Sequence, residues 1–115
     1  MKLKNRVAIV TGGGQGIGQA IGRRYCQEGC SVVFADIDPE KAQKAAEEVT
    51  GAGGEAAAVK ADVTIPREVD GMIEATLWKF GKIDILVNNA GNRPITPFLE
   101  TSDEEWDYMI RLNLS

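Results

Sequence analysis

Short apolar, β-branched runs alternate along the chain with segments whose apolar residues recur at helical spacing, and this alternation restricts the fold more than any other feature. Residues 6–10, 31–35, Ala56–Lys60 and 83–87 have the composition of strands. After the first, Ile17, Ala20, Ile21, Arg24 and Tyr25 share a helical face, and Gly29 marks the stop. A second helix is expected from Asp38 as N-cap and Pro39 at its first position, with Ala42, Ala45, Ala46 and Val49 inward and Gly51 as the break. A third begins near Pro66 and turns Val69, Met72, Ile73, Thr76, Leu77 and Phe80 to the core. Past a Pro-containing loop at 92–101, Ser102-Asp103-Glu104-Glu105 forms a capping box. The helix it opens carries Trp106, Met109, Ile110 and Asn113 on one stripe. Strands separated by helices of this length pair in parallel through right-handed crossovers. The expected class is α/β, a parallel sheet with helices on both faces.

The chain has 115 residues, enough for one core and too few for a cofactor domain plus a separate substrate domain. We therefore expect residues 1–115 to form one incomplete domain. The net charge is −4 and the Lys and Arg residues are dispersed, which argues against nucleic acid and anionic membranes. No apolar run approaches a membrane span, and the charged start at 1–6 lacks a leader pattern, so a cytosolic location is expected. Cys26 and Cys30, four apart, suit half-buried thiols better than a structural disulfide. Histidine is absent from the sequence, which removes His-based metal sites and any imidazole base, and no metal is expected.

Chemistry concentrates first in Thr11-Gly12-Gly13-Gly14-Gln15-Gly16-Ile17-Gly18, between a strand and a helix. Glycines there permit a tight turn, let the backbone approach a pyrophosphate, and bring helix and strand together. The first N–H groups of the helix then favour an anion. The spacing is G-x-x-x-G-x-G rather than G-x-G-x-x-G, so a merely tight connection is a competing reading of the loop alone. Asp36 shifts the balance. It stands at the end of the second strand, where a carboxylate can accept bonds from an adenosine ribose and repel a 2′-phosphate. No basic residue follows it directly, since Ile37 and Asp38 do, and Gln15 is uncharged. NAD is therefore expected over NADP; the competing role for Asp36 is to cap the following turn.

Taken with Asp62-Val63, Asn88-Asn89-Ala90-Gly91 and Asn113, this loop resembles the motif series of the classical short-chain dehydrogenase/reductases, in order and over the whole chain. The resemblance implies a Rossmann-type sheet and a site. Gly12, Gln15, Gly16, Ile17 and Gly18 would surround the pyrophosphate and the neighbouring ribose, and Asp36 would hold the adenosine ribose. Asp62 would meet the adenine amino group with Val63 beside it, while Asn89, Ala90 and Gly91 would line the cofactor and Asn88 would brace the sheet. Asn113 matches the family's helix asparagine that supports a water-linked proton relay; a structural hydrogen bond is the alternative for a buried amide.

Hydride transfer from an alcohol needs a group that moves the hydroxyl proton. In the resembled family a Tyr-x-x-x-Lys pair and a Ser supply it, downstream of the asparagine. Here Tyr25 precedes Gly29 and Tyr108 precedes Leu112 at that spacing. The chain is thus expected to be a truncated cofactor half with about four strands in order 3-2-1-4, unable to turn over substrate alone. Its fourth strand, nearly all apolar, would be left as an open edge, which favours a homo-oligomer. A non-catalytic nucleotide module and a self-associating remnant are the other readings.

Overall fold

The computed structural model describes residues 3–89 and the strand Pro97–Leu99. In chain order the elements are β1 (Val7–Thr11), α1 (Gly16–Gln27), β2 (Ser31–Asp36), α2 (Pro39–Gly51), β3 (Ala56–Lys60), α3 (Pro66–Phe80), β4 (Ile85–Asn88) and β5 (Pro97–Leu99). They form one sheet in the order β3-β2-β1-β4-β5. The first four of these strands pair in parallel, with Ala8 opposite both Val32 and Ile85, and Val33 opposite Ala57.

Successive strand residues feed two separate apolar cores. Ala8, Val10, Val32, Phe34 and Val87 face α1 and α2, where Ala45, Ala46 and Val49 meet them. Ile9, Val33, Ala35 and Leu86 face the opposite way and pack with Val69 and Met72 of α3. Helices lie on both faces of the sheet, so the parallel strands carry runs of consecutive apolar residues, at 7–10, 32–35, 56–59 and 85–87, rather than alternate ones. The expected α/β sheet in order 3-2-1-4 is present. Because β2 and β4 lie on opposite sides of β1, the chain reverses its winding at β1, which opens a crevice at the carboxyl ends of β1 and β4.

Four details depart from expectation. The edge of β4 is not bare: β5 lies antiparallel against it, with Ile85 opposite Leu99 and Val87 opposite Pro97. A three-residue strand inside the stretch read as loop left no detectable alternation in the sequence. In α1 the fully buried residues are Gly18 and Gly22, whereas Ile17 is 63% exposed. The left-handed residue after α2 is Gly53, at φ 94°, and Gly51 is still helical. Finally, Leu77 is 41% exposed. At the opposite end of the sheet Asp84 replaces a ladder partner. Its Oδ2 accepts the Val7 N–H at 2.9 Å while its own N–H donates to the Val7 carbonyl at 2.8 Å, so regular β4 pairing starts one residue later.

Candidate functional site

All four parallel strands deliver polar residues to the carboxyl edge of the sheet. Thr11 ends β1 fully buried, and its hydroxyl ties β1 to the end of β4. That oxygen accepts the Asn89 N–H at 2.9 Å, and its proton is shared between the Val87 carbonyl at 3.2 Å and Asn88 Oδ1 at 3.3 Å. Asn89 Nδ2 reaches the Gly12 carbonyl at 3.5 Å. The glycine loop and the Asn88-Asn89 pair are therefore held across the crevice as one polar assembly.

The loop's shape depends on glycine at particular places. Gly12 and Gly16 have φ of 62° and 59°, a region disfavoured for residues with a Cβ. A Cβ on Gly16 would meet nothing within 4 Å, so the side of the loop it would occupy is open space. Gly18 is the reverse case: a Cβ there would collide with the Gly12 carbonyl and stand 2.7 Å from Asn89 Nδ2. At the start of α1, Gln15 is extended and makes no side-chain cap, and the first turn carries no acidic residue. The leading N–H groups of that helix thus keep their preference for an anion.

Asp36 closes the loop from the β2 side. Its carboxylate is buried and accepts the Gly14 N–H on Oδ2 at 2.9 Å and the Asp38 N–H on Oδ1 at 3.0 Å. A carboxylate offers about four acceptor positions, so two remain for further donors. The cap reading of Asp36 holds in part, since it does bind the N–H two residues on, yet α2 is capped by Asp38 itself, whose Oδ1 accepts from Glu40 and Lys41. At the neighbouring strand end, Ala61 N–H donates to the Asp36 carbonyl at 3.0 Å, which sets Asp62 beside Asp36 along the edge. Asp62 Oδ1 accepts from the Thr64 N–H at 3.0 Å and hydroxyl at 2.6 Å. These hydrogen bonds, with a smaller contribution from Lys60, hold the Asp62 carboxyl below its ordinary value. Val63 packs against the core on the α3 face.

Gly12, Gln15, Gly16, Ile17, Gly18, Asp36, Asp62, Val63 and Asn89 therefore all fall on or beside one edge of the sheet. Ala90, Gly91 and Asn113 lie outside the described residues. Sequence reasoning did not single out Thr11 and Gly14 as fasteners, nor Ile37, which is 62% exposed next to Asp36. An exposed Ile just past a strand's carboxyl end, like Ile17 in the first turn of α1, is a signal that burial alone makes visible. Among the described residues no group of three or more His, Cys, Asp or Glu side chains could hold a metal. Likewise, no described helix is long and apolar enough to cross a membrane.

This edge has what a dinucleotide demands: open space beside Gly16 and an uncapped helix start for the phosphates, and a carboxylate on the next strand for a ribose. The comparisons with known proteins agree with that geometry. The chain is 39% identical over 114 residues to the (2S)-[(R)-hydroxy(phenyl)methyl]succinyl-CoA dehydrogenase subunit BbsD of Thauera aromatica, an alignment covering 99% of this chain and 46% of that protein. A 7α-hydroxysteroid dehydrogenase solved with NADH and 7-oxo glycochenodeoxycholic acid superposes with a TM-score of 0.77 at 40% identity, over 79% of this chain and 36% of that one. A metagenomic short-chain oxidoreductase solved with NADP superposes at 0.74 and 37% identity, over 79% and 41%. The chain thus spans less than half the length of these relatives. The family model described as short chain dehydrogenase matches residues 6–115, and the chain belongs to that family.

Proposed function

We propose that this chain is the nucleotide-binding portion of an oxidoreductase acting on an alcohol/ketone pair, and that it takes NAD(H) in preference to NADP(H). One observation carries the reading: the Asp36 carboxylate is bonded to Gly14, so it stands directly against the glycine loop at the mouth of the crevice. In that position it accepts the adenosine ribose hydroxyls and opposes a 2′-phosphate. Gly12, Gln15, Gly16, Ile17 and Gly18 surround the pyrophosphate, Asp62 and Val63 take the adenine, and Asn89, Ala90 and Gly91 line the nicotinamide end. Asn113 supports the proton relay. The nicotinamide supplies the hydride acceptor when bound; the residues named here bind and orient it. A cytosolic setting and self-association of the chain belong to the same proposal.

Titration of NADH and NADPH, followed by reduced-nicotinamide fluorescence, tests it. NADH is expected to bind more tightly. Tighter NADPH binding overturns the role given to Asp36, and failure of both dinucleotides to bind overturns the nucleotide-binding reading.

A further inference from the structure

Asp62, two residues past the end of β3, is half-buried and is held through both its main chain and its side chain. Its main-chain N–H donates to Glu68 Oε1 at 3.0 Å and its carbonyl accepts the Ile65 N–H at 3.0 Å. The Ala61 N–H bond to the Asp36 carbonyl fixes its distance from β2. Both donors of Thr64 then converge on one carboxylate oxygen, Oδ1, leaving Oδ2 without a hydrogen-bond partner among the described residues. An isolated Asp side chain at a surface rotates freely; this one has its backbone clamped and one oxygen anchored, so the other oxygen has a set direction.

We propose that Thr64 is a positioning residue for base recognition, acting through Asp62, with Glu68 holding the peptide on which Asp62 turns. The proposal rests on Asp62 reading the adenine amino group, and it adds how that reading is made selective. An ionised carboxylate only accepts hydrogen bonds, so it favours the exocyclic amino group of adenine and disfavours the carbonyl that hypoxanthine carries at the same place. A carboxylate aimed in advance discriminates between the two without spending ligand affinity on ordering itself. Thr64 is exposed and lies outside both apolar cores, so its hydroxyl can be removed with little effect on folding.

The test compares NADH with the reduced dinucleotide in which hypoxanthine replaces adenine, on the wild-type chain and on Thr64→Val and Thr64→Ser. Wild type is expected to prefer NADH. Thr64→Val should lower that preference by about three- to tenfold, the range for losing one typical hydrogen bond, through weaker NADH binding. Binding of the hypoxanthine form should hold, and Thr64→Ser should restore the preference. Equal weakening of both dinucleotides by Thr64→Val would mark a structural role and overturn the proposal. So would an unchanged preference in Thr64→Val. Loss of preference in the wild type itself would instead overturn the adenine role of Asp62, and the proposal with it.

Discussion

Asp36 does two jobs with one carboxylate: it would receive the ribose, and it already pins the loop to β2 and the start of α2 through Gly14 and Asp38. Asp36→Ala leaves these N–H groups without their acceptor at a buried position, which costs roughly 1–3 kcal/mol. A lower Tm is expected together with a narrowed NADH-to-NADPH affinity ratio. A variant that lost stability but kept the ratio would separate the brace from the ribose contact. The thiols behave oppositely from catalytic ones. Burial pushes Cys26 up to about 11 and Cys30 up to about 12, with Cys26 and then Asp84 adding to the effect at Cys30. Both folded-state values lie above the ordinary 9.0, so the native state holds these protons more tightly than the unfolded chain. The contribution is intact below pH 9.0 and is lost as pH rises toward 11 and 12. At pH 8 an aromatic disulfide reagent should label both thiols slowly in the native chain and quickly in denaturant. Fast native labelling would show that the thiols are not shielded.

At the scale of elements, α1 rests on β2 through Gly22, where an added Cβ would run into the Phe34 ring. Phe34 is fully buried and cannot swing aside, so Gly22→Ala should lower stability by about 1–3 kcal/mol despite alanine's better helix propensity. Thermal unfolding checks it, and a variant as stable as wild type would mean the helix shifts without cost. The same contact explains what the sequence concealed. The α1 stripe of Ile17, Ile21 and Tyr25 was legible as a face, but the helix touches the sheet along Gly18 and Gly22, and glycine carries no hydrophobic signal. Ile21 and Tyr25 are left half-buried at the flank. By contrast α2 was readable almost residue by residue, because Asp38, Pro39 and the Ala42-Ala45-Ala46-Val49 face each act locally. Asp36 and Asp62 were visible by position, since acidic residues closing apolar runs are conspicuous. Gly14 and Thr11 were not, because their bonds to Asp36 and to the end of β4 exist only once strands distant in sequence are neighbours; Thr64 bonds only two residues away, but its spacing from Asp62 does not tell which carboxylate oxygen it holds.

For the whole molecule, the apolar surface open to a second copy among the described residues lies on a helix and not at the edge of β4. The edge expected to be bare carries β5, a short strand in which Pro97 stands opposite Val87. Meanwhile α3 presents Trp78 at 87% exposure and Leu77 at 41%, both outside the apolar core clusters. An indole left in water represents a large apolar area, and contact between two copies along α3 would cover it. Light scattering across a concentration series is expected to show the mass rising above that of one chain. Because Trp78 supports neither core, Trp78→Glu should keep the unfolding temperature while holding the chain to the smaller species. If the wild type stays monomeric at every concentration, the oligomer proposal fails. If Trp78→Glu associates as strongly as wild type, the contact lies elsewhere, and the edge at β4 and β5 becomes the surface to alter next.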